Sequence, residues 1–223
     1  MDKLIIYGVN MQAQALYTII TQENQAQIEA FVVDSAYKKQ QELLGLPVCT
    51  AEKMRELFPP AQFKVCLSFG YKNMVRNRKA KFLQCKDWGY EVYTFVSRNA
   101  AVYTREIGEG CNIYPGAVIM PFAKIGKGSF IEAGCVIAHH TEIGDFNFVA
   151  PGAHFCGAVK TGTNCFFGSA CEVVNNCTIG DLCFVAAGAK VSHNMPLQSV
   201  IVPAKSSCID RSPTAFMEKM FNV

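Results

Sequence analysis

A beat of six residues runs unbroken through residues 107–196 and constrains the fold more than any other feature of the chain. Every sixth residue reads Ile107, Ile113, Ile119, Ile125, Ile131, Ile137, Ile143, Val149, Phe155, Thr161, Phe167, Val173, Ile179, Val185 and Val191, and twelve of these fifteen are Ile or Val. The fifth residue of each hexad is almost always small, as at Cys111, Ala117, Ala123, Ser129, Cys135 and Thr141. Glycine follows the first residue six times, at Gly108, Gly126, Gly144, Gly162, Gly168 and Gly180. Period six is neither the 3.6 of a helix nor the alternation of a half-buried strand. It suits a triangular coil in which three short strands make one turn of about 18 residues, stacked at the ordinary strand spacing of roughly 4.8 Å. The branched first residue fills the prism, the small fifth residue fits beside a corner, and glycine accepts the corner's backbone angles. Coils of this kind wind left-handed, against the usual crossover rule. The expected architecture is an all-β left-handed parallel β-helix of five coils.

The repeat also accounts for most of the cysteines. Eleven in 223 residues suggest a disulfide scaffold or a metal site. Yet Cys111, Cys135, Cys165, Cys171, Cys177 and Cys183 share the small inward slot, where a thiol acts as a small hydrophobe. They are spread around the prism rather than converging on one point, so no metal is expected.

Residues 1–98 follow a different pattern. An apolar strand, Leu4 to Tyr7, ends at Gly8, and a helical pattern follows from about Met11 to Thr21. A second strand, Ile28 to Val33, closes on Asp34; a third apolar run, Phe63 to Phe69, ends at Gly70. A basic helix then leads to Gly89 and a strand near Tyr93 to Val96. Strands alternating with helices predict a small, Rossmann-like parallel α/β domain, whose ligands sit at the carboxyl ends of the strands. Gly8, Asp34 and Gly70 mark those ends and are the candidate substrate contacts. Gly8-Val9-Asn10-Met11-Gln12-Ala13 lacks the second and third glycines of a dinucleotide fingerprint, which argues against nicotinamide. The run Lys72, Arg76, Arg78, Lys79, Lys81 reads either as a phosphate contact or as a solvated helix face. The predicted domains are 1–98, the small α/β unit; 99–205, the β-helix; and 206–223, a C-terminal tail or cap.

A formal net charge of +3 is too small to make nucleic acid the expected partner. The first apolar run is too short for a signal peptide, and no stretch approaches the ~18 apolar residues of a membrane span. A cytoplasmic location without membrane attachment is the expectation.

The whole chain resembles the bacterial sugar O- and N-acyltransferases of surface glycan biosynthesis, the group of sialic acid O-acetyltransferases and bacillosamine and perosamine N-acetyltransferases. Three segments carry the likeness. Leu4-Ile5-Ile6-Tyr7-Gly8, Ala30-Phe31-Val32-Val33-Asp34 and Gly45-Leu46-Pro47-Val48 look like that family's sugar-binding domain. Val136-Ile137-Ala138-His139-His140-Thr141-Glu142-Ile143-Gly144-Asp145 looks like the segment of its catalytic histidine. Val202-Pro203-Ala204-Lys205 is similar to its exit from the β-helix. The resemblance implies acyl-CoA, acetyl-CoA by default, as co-substrate and a nucleotide-linked sugar on the small domain. It also implies a homotrimer with sites between subunits, and an exposed flat-faced prism points the same way. Carried onto this chain, the general base is His139, the oxyanion-stabilising amide is that of Gly157, and CoA contacts fall near Gly157, Ser169 and Ala187.

Coil arithmetic bears on the same residues. Gly157 lies eighteen residues, one coil, beyond His139 and should stack beside it, with Asn175 and His193 continuing the column. Ala133, Pro151, Ser169 and Ala187 form another, uniformly small column that a pantetheine arm or close subunit packing would require. Imidazole titrates in the range suited to taking a proton from an attacking amine, and a backbone N–H suits the tetrahedral oxyanion. The chain departs from the family pattern in three places. Its base is followed by His140 rather than a carboxylate, which admits His140 itself as the base; Phe148 replaces a second histidine; and the nucleotide loop has lost its glycines. N-acylation of a nucleotide-linked amino sugar is the leading reading, with O-acylation of a sugar hydroxyl and a non-catalytic sugar-binding scaffold as alternatives. A zinc hydratase on this fold would need a His-x₄-His pair, which the four histidines do not supply.

Overall fold

The computed structural model describes residues 1–205; the expected C-terminal tail or cap, 206–223, lies outside the described residues. The small domain opens with strand β1 (Asp2–Tyr7), helix α1 (Met11–Gln22) and strand β2 (Ala26–Val33). Strands β3 (Glu42–Leu43) and β4 (Leu46–Thr50), helix α2 (Ala51–Leu57), strand β5 (Lys64–Leu67) and helix α3 (Arg76–Asp87) follow. The sheet order is β3-β4-β2-β1-β5, with β4, β2, β1 and β5 parallel. Asn10 starts α1 by accepting the Ala13 N–H on its side chain at 2.8 Å, which satisfies a first-turn donor. The carboxyl-terminal parts of β1, β2 and β5, Leu4–Tyr7, Ala30–Val33 and Val65–Leu67, are wholly apolar and buried because helices or the second domain cover both their faces.

The strand expected near Tyr93–Val96 divides. Val92 makes only a bridge to Val65 of the small sheet, whereas Phe95–Val96 pairs with Asn112–Ile113. Coil pairing therefore begins twelve residues before the regular beat of six becomes readable, and it ends with Val200–Ile201 on Phe184–Val185.

The rest of the chain is the left-handed parallel β-helix. Its first wall stacks the strand pairs at 112–113, 130–131, 148–149, 166–167 and 184–185; its second wall, those at 118–119, 136–137, 154–155, 172–173 and 190–191; its third, those at 124–125, 142–143, 160–161 and 178–179. Ile113, Ile131, Ile137, Val149, Phe155, Val173 and their equivalents fill the prism without exposure, joined by the six inward cysteines. Burial pushes the Cys135, Cys165 and Cys171 thiols up to about 12, leaving them protonated filler.

The small domain sits on the outer face of the first wall. There Phe130, Phe148, Phe166 and Phe184 stack from coil to coil with ring centroids 5.2, 5.7 and 4.8 Å apart. Tyr71 meets Phe148 and Phe166 edge-on. Arg78, fully buried, donates to the carbonyls of Leu67 and Phe69 in the small domain and of Gly110 and Gly128 in the prism, and lies 5.2 Å over the Phe130 ring. Asn112 donates to the Leu67 carbonyl at 2.8 Å. Among the described residues no helix is long and apolar enough to cross a membrane.

Candidate functional site

Each hexad turns tightly at its third and fourth residues, which therefore stand at a corner. His139 and His140 occupy the corner between the second and third walls, and both are exposed. Gly157 occupies the same corner one coil on, where the Ala158 N–H donates to the His139 carbonyl at 3.0 Å. A β-carbon on Gly157 would stand 2.8 Å from His139 Cε1 and 3.0 Å from Nε2. The imidazole thus lies on the glycine, and Nε2 is at the Gly157 rung. The Gly157 N–H has no acceptor among the described residues. At the corner between the third and first walls, equivalent amides of Lys127 and Thr163 donate to the Asp145 and Asp181 side chains one coil on. Amides at this position in the hexad therefore face groups outside the prism wall.

His140 has a left-handed backbone, φ +60°, and its ring stacks on Phe122 of the preceding coil at 4.8 Å. Its Nδ1 is 3.1 Å from His139 Nδ1. Phe122 is itself left-handed, φ +64°, and well exposed.

Ser169 and Ala187 stand exposed at another corner, between the first and second walls, in one column with Ala133 and Pro151. Within a single chain the second wall separates them from His139, His140 and Gly157. The proposed CoA contacts thus fall into two groups, Gly157 on one corner and Ser169 with Ala187 on the other.

Gly8 and Gly70 follow the carboxyl ends of β1 and β5, which pair side by side. Gly8, φ +129°, approaches Ser68 so closely that a β-carbon would overlap its Oγ, at 1.9 Å. At Gly70 a β-carbon would stand 2.5 Å from Gln12 Oε1. Gln12 Nε2 donates across the domain junction to Glu132 at 3.3 Å, and Asn10 Nδ2 to the Ser68 carbonyl at 3.4 Å. Burial raises the Glu132 carboxyl above its ordinary value, and the buried Tyr114 hydroxyl has no partner among the described residues. Asn10, Gln12 and Glu132 are polar groups at these strand ends that the sequence reading did not single out; Asn10 and Gln12 lay within the rejected dinucleotide motif.

Asp34 ends the neighbouring strand β2. It accepts hydrogen bonds from the Tyr7 hydroxyl and, at 2.6 Å, from Lys81 Nζ. Burial and then the Asp34 contact hold the Tyr7 phenol well above its usual range. The basic run divides: Arg78 is a buried link between domains, Lys81 pairs with Asp34, Lys79 lies 5.7 Å over the Phe146 ring, and Lys72 and Arg76 are exposed. Phe148 belongs to the aromatic stack under the small domain and not to the corner of His139.

Residues 106–139 and 122–157 match the family described as bacterial transferase hexapeptide (six repeats). No curated protein is significantly similar in sequence. Among solved structures, the acetyltransferase domain of PglB from Neisseria gonorrhoeae, in complex with acetyl coenzyme A, is 20% identical with a TM-score of 0.79, over 91% of this chain and 98% of that one. PerB from Caulobacter crescentus, in complex with CoA and GDP-perosamine, is 22% identical with a TM-score of 0.80, over 92% and 97%. WeeI from Acinetobacter baumannii is 23% identical with a TM-score of 0.77, over 91% and 97%. The chain carries a bacterial transferase hexapeptide repeat and, along nine-tenths of its length, has the two-domain fold of the PglB acetyltransferase domain and PerB.

Proposed function

We propose that the protein is an acyl-CoA-dependent N-acyltransferase, acetyl-CoA being the default donor, acting on a nucleotide-linked amino sugar. The observation that carries this reading is the packing of the His139 imidazole on Gly157, which puts a ring nitrogen and a backbone N–H without a protein acceptor on adjacent rungs of one exposed corner. Fold similarity to proteins solved with acetyl-CoA, or with CoA and GDP-perosamine, supports the two substrate classes.

The reaction follows from those groups. The sugar amine attacks the thioester carbonyl carbon while His139 Nε2 takes a proton from the nitrogen. The carbonyl oxygen becomes an oxyanion facing the Gly157 N–H. Collapse breaks the carbon–sulfur bond, and the proton leaves with CoA as its thiol, so that amide and free CoA are the products. A positioned base contributes typically about 10²–10⁴-fold, and one oxyanion donor about 10²–10³-fold. No covalent enzyme intermediate is required.

The reading includes a homotrimer. The small domain covers the first wall, and the corner of His139 is the one opposite that wall. A sugar seated at Gly8 and Gly70 therefore cannot meet the His139 of its own chain. If three copies turn their second walls toward a common axis, the His139 corner of one adjoins the Ser169 and Ala187 corner of the next. Only the first coils of that wall are apolar on the outside, at Val118 and Val136; His154, Glu172 and Lys190 continue it, the last two as an ion pair, and the third wall carries Lys124, Glu142 and Lys160. A thioester in the groove between copies would touch both groups of expected CoA contacts.

A thiol-release assay of acetyl-CoA against UDP- and GDP-linked amino sugars tests the function, with light scattering for assembly. We expect turnover with at least one amino sugar, its loss in His139→Ala with CoA binding retained, and a trimeric mass. Near-wild-type turnover by His139→Ala, or a fully active monomer, would overturn the assignment.

A further inference from the structure

We propose that His140 is the positioning residue of His139, accepting the His139 Nδ1–H so that the free lone pair of the base is fixed on Nε2, at the Gly157 rung. The inference rests on the acyl-transfer reading and resolves which of the two histidines is the base.

The two Nδ1 atoms are 3.1 Å apart. At that separation a neutral pair holds one hydrogen between them. Two hydrogens there would collide, and two lone pairs would repel, so one ring donates and the other accepts. Either order satisfies the contact, but only one serves the chemistry. If His139 donates, its Nε2, beside Gly157, is left as a base. If His140 donates, the neutral His139 carries its hydrogen on Nε2 and cannot take a proton from the amine there.

His140 is itself held from two sides. Its ring is stacked on Phe122, and its N–H donates to the Pro121 carbonyl at 3.4 Å. A left-handed backbone is costly for a residue with a β-carbon, and here it turns the His140 ring back onto the preceding coil while His139 turns toward the following one. The T-shaped arrangement of the two rings, centroids 5.3 Å apart, brings the Nδ1 atoms edge to edge. An imidazole in this place orients the base and fixes its tautomer. Unlike a carboxylate, it adds no negative charge to steady the imidazolium.

The test pairs a spectroscopic reading with kinetics. In the full-length protein labelled with ¹⁵N-histidine, His139 should show a protonated Nδ1 and an unprotonated Nε2, assigned through the His139→Ala spectrum. Removing the acceptor in His140→Phe should abolish that single tautomer while keeping the ring stack, since a phenylalanine already occupies the equivalent left-handed position one coil earlier, at Phe122. The same variant should lose about tenfold or more in kcat with KM for acetyl-CoA unchanged, because wrong-tautomer histidines lose much of their base function. His140→Asp, which restores an acceptor, should keep more kcat than His140→Phe. A wild-type His139 protonated at Nε2, an unchanged tautomer and kcat in His140→Phe, or equal losses in His140→Phe and His140→Asp would overturn the proposal. If no amino sugar is acylated, the acyl-transfer reading fails separately, and the nitrogen spectrum still decides the pairing.

Discussion

The imidazole of His139 rests on the α-carbon of Gly157 so closely that no β-carbon fits between them: one would stand 2.8 Å from Cε1. The Gly157 backbone is not left-handed, so alanine is tolerated there by the chain itself. The conflict falls on the ring, which must swing away. Gly157→Ala should fold with an unchanged melting temperature and lose kcat by about 10²-fold, within the range a positioned base supplies. Thermal denaturation and steady-state kinetics check it; an unchanged kcat would separate the ring's position from the chemistry.

Arg78 joins the two domains with one buried guanidinium and four carbonyl partners. Burial lowers it to about 10, which still leaves it charged at neutral pH. Arg78→Met takes the donor from the Phe69, Gly110 and Gly128 carbonyls, while Leu67 keeps Asn112, and lysine cannot span the same fork. We expect a loss of about 3–5 kcal/mol in urea denaturation, since each buried acceptor left unsatisfied costs about 1–3 kcal/mol, together with faster proteolysis between the small domain and the prism. Equal stability of variant and wild type would show that the aromatic stack and the remaining hydrogen bonds, such as Asn112 to Leu67, hold the junction without Arg78.

A third prediction concerns acid. Burial alone would raise the Glu23 carboxyl, but hydrogen bonds from Ser97, the Arg98 N–H, Gln25 and Asn99 outweigh it and hold the group below its ordinary 4.5. These bonds tie the end of α1 to the first coil. A folded value below the unfolded one gives stability that is complete above the unfolded value and is lost as pH falls through the folded one. Glu23→Gln should therefore lower the urea midpoint at neutral pH, and the two proteins should converge well below pH 4.5. A difference that persists undiminished in acid would assign the effect to packing instead.

Much of this arrangement is readable from the chain itself because the prism is one-dimensional. Each residue's wall and corner follow from its place in the hexad, and so the stacking of His139 on Gly157 follows from a separation of one coil. The irregular first coil escaped the count, since Phe95–Val96 and Ala101–Val102 pair at a spacing of seventeen residues rather than eighteen. The small domain was legible in its long apolar strands and opaque in β3, β4 and α2, which are short and lack strong periodicity. Arg78 could not be told from its neighbours, because a basic run gives no sign of which member turns inward; its role depends on carbonyls from loops 32 and 50 residues away. The division of the expected CoA contacts between two corners was implicit in the hexad positions of Gly157 and Ser169, which differ by two walls of the triangle.

That division yields the last prediction. Ala187 is exposed on the corner between the first and second walls, far within one chain from His139. An exposed tryptophan there should leave the isolated fold intact, because its side chain points away from the prism filled by Val185 and Ala189. In the proposed trimer, the same position would line the groove in which the pantetheine arm of the donor would run toward the neighbour's His139. Ala187→Trp should then raise KM for acetyl-CoA at least about tenfold, ~1.4 kcal/mol, while KM for the sugar nucleotide stays within about twofold. Thr178→Trp, equally exposed but on the third wall, serves as the control and should change neither constant. Light scattering separates the two ways in which Ala187→Trp can act: a trimer with a raised KM places the donor in the groove, and a monomer places Ala187 in the packing between copies. A trimer with an unchanged KM would remove this corner from the donor's path.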